Sequence, residues 1–207
     1  ADVDELSLRT LLGTIGAGSI VLIGVTYFAS PEVSLLRAAL MTGAGIAWIW
    51  VAGVIVSECV GRTNWSPLSG MTLIAVTVLV FASTGMSSTA TILVSITLGA
   101  AVCVAIAQAG DMMLDLKSGY LTGAQPRRQQ LAQLLATWLG PVLVMGLIYV
   151  LHEAYGLGSE RLPAPQGQAL ASMVGGIVGG DVPLFRYAGG AILGLVLAVS
   201  GLGGIGV

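Results

Sequence analysis

The residues best placed to do chemistry are two carboxylates and a lysine in Gly110–Asp111–Met112–Met113–Leu114–Asp115–Leu116–Lys117. Asp111 and Asp115 stand four apart, so on a helix they share one face, near Lys117 or Arg127. Ionisable side chains at membrane depth are costly and commonly mark the route of an ion or a substrate. A carboxylate held there is suited to carrying a proton. At the membrane surface the same groups are simply solvated and cap helix ends. The residues that follow, Ser118–Gly119–Tyr120–Leu121–Thr122–Gly123 and Pro126, combine two glycines and a proline, which break regular structure. Carriers use broken helices to aim backbone amides and carbonyls at their cargo. The ordinary alternative is a loop between two spans, with Tyr120 as an interfacial anchor and Arg127–Arg128–Gln129–Gln130 as the basic start of a helix.

A second candidate is Asn64–Trp65–Ser66–Pro67–Leu68–Ser69–Gly70–Met71. Pro67 and Gly70 are expected to unwind the backbone just before a short apolar run, which makes Ser66 to Gly70 a contact element of the kind that lines carrier binding sites. Asn64 and Ser69 also serve as turn and N-cap residues. The lone histidine, His152, lies beside Glu153 at a helix end, where an interfacial role outweighs that of a relay or ligand. With only Cys59 and Cys103 besides, it makes no zinc site, and both thiols are expected to be free and buried. No catalytic residue, metal ligand or cofactor is assigned. A serine protease would need Ser69 activated by His152, and nothing brings them together. An aspartyl protease would need carboxylates on two helices. Asp111 follows Gln108–Ala109–Gly110, where a GxGD pattern would place glycine first, and its nearest acidic neighbour is on its own helix.

These groups must be positioned by apolar helices. Of 207 residues, 56% are hydrophobic and only 9% charged, with a mean hydropathy of +0.94. A soluble domain carries about 25% charged residues, so lipid is the solvent for much of this surface. A net charge of −2 supplies no field for nucleic acid. Apolar runs cover Thr10–Ala29, closed by Ser30–Pro31–Glu32; Ala38 to about Val56; a short run from Met71 to Ser83; Thr91–Ala109, ending at Gly110–Asp111; Leu131–Leu151, with Pro141 expected to kink it; and Tyr187 onward. These runs exceed the usual strand of roughly 3–10 residues and lack a barrel's alternation. The fold class expected is an all-α integral membrane protein, a polytopic bundle of five to six transmembrane helices with interrupted or re-entrant segments.

Polar interruptions fall at Glu58–Gly70, Gly110–Gln130 and Leu151–Leu184. The last holds an extended Leu162–Pro163–Ala164–Pro165 stretch and then Gln168–Val178, too short to span and read as an interfacial or re-entrant helix. If all six runs span, Arg9, Arg62, Lys117, Arg127 and Arg128 share one side and Arg37, Arg161 and Arg186 the other. Five against three weakly favours the first side as cytoplasmic. Among 30 glycines, the pairs Gly175/Gly179 and Gly190/Gly194 have the four-residue spacing of close helix contacts. The first residues are acidic and lack the basic start of a signal peptide. The chain stops at Gly203–Gly204–Ile205–Gly206–Val207 within an apolar run, so residues 1–207 are expected to form a single transmembrane domain that is a piece of a larger transporter.

These segments resemble the oligopeptide transporter superfamily, which includes the yellow stripe-like metal-chelate transporters. Gly110 to Leu121 is similar to that family's GDMMQDLKTGYL, and Gly123–Ala124–Gln125–Pro126–Arg127–Arg128–Gln129–Gln130 to its GATPRKQQ. Leu162–Pro163–Ala164–Pro165–Gln166 is similar to its PAPQ stretch, and Ser66 to Met71 to an NPxSGM element. Order and spacing agree from roughly Glu58 to the end of the chain, part of the C-terminal half of such a carrier. The resemblance implies a proton-coupled carrier of small peptides or metal chelates. Asp111, Asp115, Lys117, Gly119, Tyr120, Asn64, Ser66, Ser69, Gly70 and Gln166 would then lie along the substrate or proton path. It departs from the pattern at Leu114, where the family has Gln, at Ser118 for Thr and at Ser66 for Asn. Leu114 loses a polar contact; Ser118 keeps its hydroxyl. The partners implied are a small-molecule substrate, protons, the lipid bilayer, and the remaining helices or further copies. The location implied is a bacterial-type inner membrane. A non-transporting scaffold or accessory subunit is the alternative.

Overall fold

Serines start three of the long helices. Ser7, Ser34 and Ser87 each accept, on the side-chain oxygen, the backbone N–H three residues on, satisfying a donor that the first helical turn leaves open. A computed structural model describes residues 7–180 and 184–200 of the chain. The helices they form are α1 (Leu8–Ala29), α2 (Leu35–Thr63), α3 (Leu68–Ala82), α4 (Ser88–Thr122), α5 (Pro126–Tyr155), α6 (Pro165–Gly179) and α7 (Leu184–Ser200). Pro126 and Pro165 sit at the first positions of α5 and α6, where proline's missing N–H costs nothing. Asn64 ends α2 with φ 55° and Gly123 ends α4 with φ 74°, left-handed caps that stop the helices. Four helices, α1, α2, α4 and α5, are long and apolar enough to cross a membrane; α3 and α7 are shorter apolar helices. The chain is an all-α membrane bundle.

At the centre runs α4. It packs on α1, α2, α3, α5 and α6, and its Val94, Val102 and Ile106 are 0% exposed. One apolar cluster joins Val33, Ala38, Met41, Leu79, Val94 and Leu98. A second joins Ala52, Val56, Val60, Ala75, Val102 and Ile106. Glycine lets these helices close. A Cβ on Gly99 would stand 2.5 Å from Val76 Cγ2, one on Gly110 3.0 Å from Val56 Cγ1, and one on Gly45 3.1 Å from Val102 Cγ2. The glycine pairs singled out by spacing do not take this role: a Cβ at Gly175, Gly179, Gly190 or Gly194 meets no described atom within 4 Å. Those glycines lie on the peripheral α6 and α7, away from the α2–α3–α4 contacts where backbones approach.

One end of the bundle is fastened by charge. The Glu32 carboxylate, in the α1–α2 turn, accepts Ser87 N–H at 2.7 Å and Ser87 Oγ–H at 2.6 Å. These two donors hold the Glu32 carboxyl below the usual 4.5. Arg37 Nη2 donates to the Thr84 carbonyl at 3.1 Å, tying α2 to the α3–α4 turn. Deeper in, Trp48 Nε1 donates to the Met71 carbonyl at 2.9 Å.

Several sequence expectations change. The interruption at Gly110–Gln130 shrinks to the turn after Gly123, because α4 continues unbroken from Ser88 to Thr122. Gly110 serves close packing on Val56 and does not end the helix. Likewise only residues 64–67 separate α2 from α3, so Ser69 and Gly70 belong to the first turn of α3 and are not unwound. Segment Gln168–Val178 is helical, as its pattern predicts, and belongs to α6, which runs alongside α3 in the same direction: Gln166 and Leu170 meet Leu68 and Ser69, Thr77 Oγ1 donates to Met173 Sδ at 3.3 Å, and Val174 packs with Val76 and Val80. Pro165 begins that helix and is not extended. α5 is helical on both sides of Pro141. Cys59 and Cys103 are free but only half-buried, each on a helix flank that neighbouring helices cover in part. The acidic start and Gly203–Val207 lie outside the described residues.

Candidate functional site

At 1.5 Å per residue, α4 is roughly 52 Å long, whereas the hydrocarbon core is about 30 Å thick. The apolar part from Ser88 to Ala109 rises roughly 33 Å. A helix standing along the membrane normal therefore brings Asp111 to the edge of the core and Asp115 about 6 Å beyond it. There α5 turns back along α4, and the two enclose a cleft of about 470 Å³ lined by Val104, Gln108, Asp111, Leu114, Asp115, Gln133, Ala136, Thr137, Gly140 and Pro141. Pro141 has no N–H to give the Thr137 carbonyl four residues back, so a backbone acceptor is left without its helical donor in the wall of the cleft.

The polar side chains of this cleft are organised by three glutamines. Gln108 Nε2 donates to Gln133 Oε1 at 3.0 Å. Gln133 Nε2 donates in turn to Asp115 Oδ2. One turn back on α5, Gln129 Nε2 donates to the Asp115 carbonyl at 2.8 Å. Gly119 admits that amide, because a Cβ there would collide with Gln129. The residues are exposed apart from half-buried Gln108, Gln129, Gln133 and Gly140 and buried Gly119.

A second, smaller cleft of about 120 Å³ lies between the starts of α3 and α6 and the flank of α4. It is lined by Leu68, Ser69, Thr72, Leu73, Cys103, Gln166, Ala169 and Leu170. Neither helix start carries a side-chain cap, and two helix N-termini side by side favour negative charge. Cys103 lines this cleft and Val104, the next residue, lines the larger one. The two clefts thus lie at one height on neighbouring faces of α4.

Of the residues singled out from sequence, Asp111 and Asp115 meet in the large cleft, and Ser69 and Gln166 meet in the small one, although 96 residues separate Thr77 from Met173 along that same α3–α6 seam. The others do not join them. Lys117 Nζ lies over the Tyr120 ring, 5.5 Å from its centre, and does not pair with the carboxylates. Tyr120 is exposed on α4. Asn64 is a helix cap whose N–H donates to Val60 O at 2.9 Å, Ser66 is exposed in the turn, and Gly70 has open space on its Cβ side. Sequence reasoning missed Gln108, Gln129, Gln133 and Thr137. The signal was present: Gln129 and Gln133 are one turn apart, and Gln133 interrupts an otherwise apolar run.

The chain matches the family described as OPT oligopeptide transporter protein over residues 2–203, a match that begins well upstream of Glu58. It is 25% identical over 190 residues to a Saccharomyces cerevisiae protein named for oligopeptide transport, covering 92% of this chain and 26% of that protein. It is 29% identical over 192 residues to a Haemophilus influenzae protein named in the same way, covering 81% of this chain and 30% of that one. A rice protein (Oryza sativa subsp. japonica) named as a metal-nicotianamine transporter is 29% identical over 108 residues, 51% of this chain and 15% of its own length. The chain therefore spans under a third of each of these relatives. No solved structure matches it. The unbroken helical bundle, the polar motif on α4 and a match over nearly the whole length agree, and the chain belongs to the OPT oligopeptide transporter family.

Proposed function

We propose that this chain forms part of the cargo path of a proton-coupled secondary carrier for small peptides or metal chelates, in a bacterial-type inner membrane. The observation that carries the reading is the α4–α5 cleft, where Asp111, Asp115, Gln108, Gln133 and Thr137 converge beside apolar Val104 and Leu114. Two carboxylates suit a cationic amine, amide side chains suit peptide-like groups, and either carboxylate suits a proton that travels with the cargo. The Ser69–Gln166 cleft, set between two helix N-termini, suits a carboxylate of the same cargo. Leu114 faces the larger cleft where the resembling motif has glutamine, so this carrier's cargo contact is more apolar at that point.

The test is uptake by the gene-encoded carrier in proteoliposomes under an imposed pH gradient. Asp111→Asn is expected to lower proton-driven uptake at least about tenfold, the scale of one strong charge-assisted contact, and to flatten its pH profile. Normal uptake with the wild-type profile would remove Asp111 from the proton path. A second reading, a non-transporting scaffold, is favoured by one observation: α5 has no buried residue, as expected of a helix that other helices cover. Residues 1–207 alone in liposomes would then accumulate neither a tripeptide nor an iron–nicotianamine chelate, whereas the carrier reading requires accumulation once the covering helices are supplied.

A further inference from the structure

Among the described residues, α5 is attached to α4 differently from the way α2 and α3 are. α5 contributes no buried side chain, yet three glutamine amides connect it to α4. Gln129 and Gln133 lie one turn apart on α5, and Gln108 and Asp115 lie two turns apart on α4, so both sets present a single face to the seam. Asp115 is held twice. Its carboxylate accepts from Gln133 and its backbone carbonyl from Gln129. Gly119 is what makes the second bond possible, since any side chain there would occupy the place of the Gln129 amide. Gln133 is itself held by Gln108, so its orientation is fixed from both sides.

We propose that Gln133 and Gln129 are positioning residues: they fix the Asp115 carboxylate at the wall of the cleft and, by the same bonds, register α5 on α4. The inference rests on the α4–α5 cleft being the cargo site. A hydrogen bond to a charged acceptor is about twice as strong as a neutral one. Removing Gln133 therefore loosens both the carboxylate and the helix that carries Thr137 and Pro141. A cargo ammonium that engages Asp115 competes with Gln133 for the same oxygen, which links cargo binding to the freedom of α5.

The experiment uses the gene-encoded carrier with Cys59 and Cys103 replaced by serine and spin labels at Leu121→Cys on α4 and Leu135→Cys on α5. In the parent the inter-label distance distribution is narrow. Gln133→Leu is expected to broaden it, Gln129→Leu to broaden it less, and Gln133→Leu to add little further broadening once Asp115→Leu is already present, because the bond it removes is then gone. A distribution that Gln133→Leu leaves unchanged, or broadens equally with and without Asp115→Leu, overturns the positioning role. The paired variant guards against mere misfolding, because a general loss of structure does not depend on Asp115. In uptake of a radiolabelled tripeptide, KM is expected to rise about tenfold in Gln133→Leu with kcat nearly kept, the loss of about one charge-assisted bond. An unchanged KM beside an Asp115→Asn variant that has lost uptake defeats the positioning role alone. Unchanged uptake in Asp115→Asn defeats the cargo-site reading, and the label distances then judge the α4–α5 registration by themselves.

Discussion

Helices α4 and α5 are neighbours of similar length and are both apolar enough to cross a membrane, yet they are held in opposite ways. α4 is gripped on most sides by side chains without polar atoms, with Val94, Val102 and Ile106 sealed between α2 and α3. Its Gly99 and Gly110 leave room for the side chains of Val76 and Val56 to press against the α4 backbone. α5 has no buried residue, exposes Trp138 at 78%, and meets α4 through amides. Lipid chains are as apolar as leucine, so burying leucine against leucine gives little drive in a bilayer. Close packing and polar contacts remain as the forces that assemble helices. The molecule uses both, one for each partner of α4. Close packing suits a fixed frame, and an amide seam suits a helix whose bonds a cargo or a proton can contest.

The largest effect that tests this division is steric. Gly99→Leu would drive a side chain into Val76, whose Cγ2 lies 2.5 Å from where a Cβ would stand. We expect a loss of at least about 3 kcal/mol, the upper end of overpacking costs, read as a fall in the thermal unfolding midpoint in detergent. The matching change on α5, Gly146→Leu, meets open space and should move stability by no more than about 0.5 kcal/mol. Equal effects at the two sites would erase the distinction between a close-packed frame and a loosely covered arm.

The same division explains what was legible in the sequence. Apolar runs announce α1, α2, α4, α5 and α7, because the length needed to cross a bilayer is written in composition. Asp111 and Asp115 are read correctly as one face because four-residue spacing is local. Gly110 is misread because a glycine's tendency to break a helix is also local, whereas its use against Val56 depends on a partner 54 residues away. Gln133 is missed for the same reason. Its meaning requires the register of the α4–α5 hairpin, and that register is set by the cap at Gly123 and the Pro126 start. The Ser69–Gln166 pairing needs α6 to run alongside α3, which no periodicity in either segment reveals.

A smaller effect sharpens the comparison from the polar side. Thr42 on α2 is 1% exposed, and its hydroxyl has no hydrogen-bond partner. Most other buried hydroxyls in the bundle bond back to a carbonyl one turn earlier, as Ser83 does to Leu79 and Ser95 to Thr91. A buried hydroxyl left unsatisfied is costly, so Thr42→Val, which keeps the shape, should stabilise the protein by about 1 kcal/mol. Melting curves of the purified protein read the sign directly. Destabilisation would mean that the close-packed contacts around α4 depend on a polar contact there.

The subtlest test concerns Glu32, which with Arg37 fastens one end of the frame by charge. Its carboxylate takes both donors of Ser87 at the start of α4, and these bonds favour the ionised form, lowering its pKa from 4.5. A carboxyl with a depressed folded-state pKa contributes stability that is fully present above its unfolded pKa and is lost as pH falls through the folded value. Stability should therefore decline on acidification below 4.5 in the parent. Glu32→Gln, which cannot ionise, should show a flatter profile in that window, and Ser87→Ala should flatten it similarly by removing the hydroxyl donor. The group is exposed, so the slope will be shallow and will shrink in high salt. If parent and Glu32→Gln fall in parallel, the acid sensitivity lies elsewhere than in the Glu32–Ser87 contact.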